Sequence, residues 1–113
     1  MFGFGVGTDR WPGIAKLAEE CGEVVQVIGK LMMTGGGSKH WDGLSPLHER
    51  LSDEMGDALA AILFVCEQCV LIRAPRVFER AKHKLGVFRQ WHADGQGYVA
   101  PSISPDALAA ILR

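Results

Sequence analysis

Glu20 and Glu23 in LAEECGEVVQVI, and Glu54 and Asp57 in LSDEMGDALAAI, are two acid pairs at i, i+3 spacing inside otherwise apolar stretches. Residues three apart share a helix face. With Leu17 set over Leu51, leucine, acid, glutamate, a sulfur residue, glycine, acid and isoleucine recur in the same order. At about 100° per residue, Glu20 falls within the apolar arc from Leu17 to Ile28 and Glu23 just outside its edge. Glu54 and Asp57 repeat this around Leu51 and Ile62. Two helices that pack through these arcs bring four carboxylates together. Burying uncompensated carboxylates costs several kcal/mol each, and like charges raise one another's pKa, so such a cluster is sustained best by a cation. Oxygen donors with no matching sulfur or imidazole select Mg²⁺, with Mn²⁺ as the alternative. Glu19 and Asp53 point further round, toward outer contacts or solvent. Gly22 and Gly56, each costing about 1 kcal/mol relative to alanine in mid-helix, predict a close backbone approach there.

These side chains need long helices to carry them. Helical periodicity starts near Pro12, with apolar residues at Ile14, Leu17, Cys21, Val24, Ile28 and Leu31, and stops at TGGGS, residues 34–38. After the polar loop KHWDGL, Ser45 offers an N-cap and Pro46 a first helical position. A second helix follows on Leu47, Leu51, Met55, Ala58, Ile62, Val65 and Cys69, ending before Pro75. A third begins at APRVF, with Val77, Phe78, Ala81, Leu85 and Phe88 on one side and Arg80, Lys82, Lys84 and Arg89 largely off it; ADGQG, residues 93–97, ends it. Ser104 and Pro105 repeat the cap-then-proline signal before a short last helix. With no strand pattern, the reading is all-α. The 113 residues predict one helical domain, with 1–11 as an extended lead-in and 94–113 as a C-terminal loop and short helix.

Composition narrows the function classes. Twelve basic against 13 acidic side chains give no basic field for nucleic acid. The apolar run ALAAILFVCEQCVLI is broken by Glu67 and Gln68, too soon to span a bilayer. MFGFGVGTDR lacks the basic start and cleavage site of a secretory signal, and three cysteines suit a reducing compartment, so the expected location is the cytoplasm. Cys66 and Cys69 form a CxxC without a second half, which reads as core packing rather than zinc ligation. GFGVG near the start is not a nucleotide-binding glycine motif, and His48, His83 and His92 lack metal-ligand spacing. Trp11 and Trp91 read as packing residues. A di-iron bundle is disfavoured because neither acidic helix supplies Glu-x-x-His.

EECGE at residues 19–23 and EMGD at 54–57 together match EExxE on one helix and ExxD on the next. In this the chain resembles the MazG-like all-α nucleoside triphosphate pyrophosphohydrolases, over roughly residues 14 to 92. The resemblance implies Mg²⁺-dependent hydrolysis of a (deoxy)nucleoside triphosphate between the α and β phosphates, giving the monophosphate and pyrophosphate. Glu20, Glu23, Glu54 and Asp57 would be the metal ligands. Glu19, together with Glu20, would have the catalytic role, Glu19 orienting or activating the attacking water. It also implies phosphate contacts from the basic segment AKHKLGVFRQW, matched here by Lys84 and Arg89, with Lys82 a weaker match. An asparagine often seen between the lysine and the arginine is replaced by Val87 and Phe88.

Trp41 in SKHWDGLS could stack on a base, with His40 and Asp42 bonding its edge; the competing reading is a hydrophobic anchor under the loop. The wide apolar faces predict a bundle completed by another subunit, and the resemblance implies a homodimer or dimer of dimers. Two alternatives stay open at this point. One is a phosphoribosyl-ATP pyrophosphohydrolase, which shares the acidic layout; the other is a noncatalytic helical oligomerisation or binding module.

Overall fold

The computed structural model describes residues 9–35, 46–96 and 103–111, with the backbone alone for Gln96 and Pro105. Among the described residues it is all-α: α1 spans Ile14–Met33, α2 Leu47–Gln68, α3 Ala74–Gln96 and α4 Pro105–Ile111. By contacts the chain divides into two compact units, Met1–Ile72 and Arg73–Arg113. The expected lead-in falls mostly outside the described residues, as do the loop KHWDGL and Ser45.

In the first unit α1 packs on α2. Gly13, just before α1, lies against Phe64 and Val65 near the end of α2. Glu20 and Glu23, further along α1, meet Glu54 and Asp57, nearer the start of α2. The two helices therefore run antiparallel. Val27, Leu47, Ala61, Val65 and Cys69 form the buried apolar core. The α1 stripe is rotated slightly from the predicted one: Val27 is 1% exposed whereas Ile28 is 41% exposed. Glu20 takes the stripe position adjacent to Cys21, whose thiol is exposed.

Gly22 and Gly56 correct the sequence reading. Both are exposed, and a Cβ at either would meet nothing within 4 Å. They lie off the α1–α2 contact, so a close approach within this hairpin is not what places glycine there. Gly13 is the glycine that the packing does require. It is buried with φ 85° at the N-cap of α1, and an added Cβ would lie 2.8 Å from Phe64 Cδ2 and 3.0 Å from Val65 Cγ2. Gly13→Ala combines left-handed backbone strain with overpacking, and should cost about 2–4 kcal/mol of unfolding free energy. A fall in the urea midpoint checks this; an unchanged midpoint would show that α1 is not seated on Phe64 and Val65.

The helix ends follow local chemistry with small shifts. Gly35, at φ 68°, lies just beyond the Thr34 C-cap, and its N–H donates to Met32 O at 3.2 Å. Pro46 is the N-cap of α2 in extended conformation, ψ 135°, one place before its expected position. In the second unit α3 runs on through Asp94 and Gly95 to Gln96, past the expected stop. Gln90 Nε2 donates to Asp94 Oδ1 at 2.9 Å, an i, i+4 bond that helps carry the last turn. Trp91 is 62% exposed, its ring 5.7 Å from that of Phe88, so it is no core residue of the described chain. The final cap is as read: the Ala107 N–H donates to Ser104 Oγ at 3.1 Å.

Candidate metal centre

Glu20 and Glu23 project from the middle of α1 because three residues advance the helix by slightly less than one turn. Glu54 and Asp57 do the same from α2. Antiparallel packing sets the four side chains together, with one carboxylate oxygen from each lying within 4.8 Å of all the others. Glu20 is 8% exposed, Glu23 and Glu54 are half-buried, and Asp57 is exposed. The cluster is thus graded from a buried end to an open one.

Its electrostatics are unsatisfied. Glu20 Oε2 and Glu54 Oε2 are buried with no hydrogen-bond partner. Such oxygens carry a desolvation cost without compensation. The Glu23 carboxyl is held above its usual range, first because hydrogen bonding to Glu54 favours its protonated form, then by desolvation and by the Glu54 charge. Contact with Glu20 pulls the other way. Lys16 supplies part of the missing positive charge, its Nζ lying 3.3 Å from both Glu19 Oε2 and Glu20 Oε1. Those carboxylates hold the Lys16 ammonium above its usual pKa, the Glu20 bond contributing most.

Four hard oxygen donors on two rigid helices, two of them with orphaned buried atoms, fit a divalent cation of the Mg²⁺ type. An open cleft of about 470 Å³ adjoins the cluster, lined by Lys16, Glu20, Asp57, Ala60, Ala61 and Phe64. It can admit a ligand to the acids.

The other candidate residues are placed less centrally. Glu19 has a half-exposed side chain outside the four-acid cluster, bonded to Lys16. Asp53 is exposed. Lys82 and Arg89 are exposed and Lys84 half-buried, all on α3 in the second unit. His40, Trp41 and Asp42 lie outside the described residues. Cys69 is buried and donates its thiol to Arg10 O at 3.7 Å, while Cys66 is half-buried; both are free thiols, consistent with packing. Lys16 and Phe64 were not singled out in the sequence. A signal for Lys16 was present in its i+3 and i+4 spacing to Glu19 and Glu20.

An antiparallel helical hairpin that converges four carboxylates is a scaffold able to hold a metal ion. A family model described as the MazG nucleotide pyrophosphohydrolase domain matches residues 13–90, and the chain belongs to that family. Comparison with curated proteins and with solved structures returned no match. Among the described residues no helix is long and apolar enough to cross a membrane.

Proposed function

We propose that the chain is a Mg²⁺-dependent nucleoside triphosphate pyrophosphohydrolase that cleaves a (deoxy)nucleoside triphosphate between its α and β phosphates. The observation that carries this reading is the four-carboxylate cluster with orphaned oxygens on Glu20 and Glu54, inside a domain of this family. When bound, Mg²⁺ or Mn²⁺ supplies charge neutralisation at phosphate oxygens and lowers the pKa of the attacking water. Glu20, Glu23, Glu54 and Asp57 would hold the ion. Glu19, beside Glu20 and half-exposed, orients that water and takes its proton. Water adds to the α phosphorus as the bond to the bridging oxygen breaks, and pyrophosphate leaves. Lys84, Arg89 and Lys82 are assigned to phosphate contact, and Trp41, His40 and Asp42 to the base, on the sequence pattern alone.

A second copy of the chain is proposed to complete the bundle, as a homodimer or dimer of dimers. Supporting this, Val25, Ile28 and Met32 on α1 and Met55, Leu59 and Leu63 on α2 are 41–76% exposed. That is a broad apolar surface for a small hairpin to leave in water. A cytoplasmic location accords with the free thiols.

The test is product analysis on a panel of (d)NTPs and phosphoribosyl-ATP with Mg²⁺ in ¹⁸O water. Equimolar monophosphate and pyrophosphate are expected from a (d)NTP, with the label in the monophosphate because attack is at the α phosphorus. Turnover confined to phosphoribosyl-ATP would transfer the assignment to that substrate. No turnover of any would remove the enzymatic reading.

A further inference from the structure

Lys16 stands in the first turn of α1, where the helix dipole disfavours a cation. Its order relative to Glu19 and Glu20, lysine before glutamate, is also the weaker arrangement for helix pairing. Stabilising α1 is therefore a poor account of its position. Its contacts point elsewhere. The ammonium sits 3.3 Å from Glu20 Oε1, on a residue that is 8% exposed and whose other oxygen is buried and unpartnered among the acids. The same ammonium is 3.3 Å from Glu19, and its side chain lines the cleft with Glu20 and Asp57.

We propose that Lys16 is the resident cation of the metal-free site, a positioning residue that holds Glu19 and Glu20 on one ammonium and releases Glu20 when a divalent ion enters. This rests on the metal-binding reading above. An ion coordinated by Glu20 would lie within about 5–6 Å of the ammonium through Oε1 and within about 8 Å through Oε2, close enough in either case for the two charges to repel even at a water-like dielectric. Lys16 is about half exposed, so its chain is free to swing away and leave Glu19 and the cleft. Holding Glu20 in place favours metal binding only slightly, because the ammonium end of the pair is about half exposed and screened by water. Competition and repulsion oppose it more strongly, which fixes the sign of the effect.

The experiment is titration of the full chain with Mn²⁺ by calorimetry, on wild type, Lys16→Met and Lys16→Arg. Lys16→Met should bind Mn²⁺ about three- to tenfold more tightly, the lower figure reflecting salt screening. The gain should shrink as sodium chloride is raised. Lys16→Arg, which keeps the charge, should stay near wild type. A solvated ion pair with no part in the site would leave all three affinities equal, and that result, or weaker binding by Lys16→Met, overturns the proposal alone. Absence of Mn²⁺ binding in every protein overturns the metal-binding reading and this one with it. Circular dichroism of each variant confirms that the helices compared are intact.

Discussion

Glu20→Gln and Asp57→Asn should each lower pyrophosphate release by about a thousandfold, with the metal-free protein as stable as wild type or more so. The loss follows from the proposed reaction, in which charge would build on phosphate oxygens and the proposed ligand set would have to hold its neutralising ion in register. Removing a preorganised electrostatic group of this kind costs about 10²–10³ in turnover, and a metal ligand lies at the upper end. The stability follows from the geometry. In Glu20→Gln the amide oxygen can still accept from Lys16, as Glu20 Oε1 does at 3.3 Å. The amide nitrogen then replaces the buried, unpartnered Oε2 and puts a donor among acceptors. Asp57 is exposed, so its amide loses little solvation and removes one like charge. Paired kinetic and thermal-melt measurements check both halves. Unaltered turnover in both variants would show the ligand assignment wrong, and loss of turnover with lost helicity would make these acids structural instead.

That separation matters because the cluster resembles, in sequence, an ordinary solvated acidic face. What made it legible was its place in the hydrophobic period. Glu20 occupies a core position, between Leu17 and Val24 in the stripe, and it is buried as that period requires. Among the described residues the helices and their approximate ends were legible too, because proline, glycine and the Ser104 cap act within a few residues. What was not legible depends on how two surfaces meet. The repeat sets Glu20 over Glu54, yet antiparallel packing puts Glu23 close enough to Glu54 to raise its pKa and lets Glu20 line the cleft with Asp57. Gly22 and Gly56 looked like contact glycines because sequence gives their angle to the apolar stripe only approximately. The exchange of Ile28 for Val27 in the core reflects the same uncertainty, one residue being about 100° of rotation. Gly95 failed to stop α3 because a single glycine costs only about 1 kcal/mol, within reach of local bonds such as Gln90 to Asp94.

A divalent ion should reverse the pH dependence that the cluster imposes on stability. In the metal-free protein the Glu23 carboxyl titrates above its ordinary value of 4.5. A raised folded pKa means that the folded chain binds the proton more tightly than the unfolded chain. The contribution of Glu23 is thus present in full below pH 4.5 and is lost as pH rises through the raised value. Metal binding acts with the opposite sign, because the ion takes only the deprotonated carboxylates. At about a hundred times its dissociation constant, an ion that binds only the folded chain adds about 2.7 kcal/mol. The thermal shift on adding Mg²⁺ or Mn²⁺ should therefore be small near pH 4.5 and grow toward neutrality, and a chelator should abolish it. Glu23→Gln should flatten the metal-free profile over that window and diminish the metal-induced shift together, since one carboxyl accounts for both. A metal-induced shift that is independent of pH, or one that survives intact in Glu23→Gln, would place the ion somewhere other than between α1 and α2.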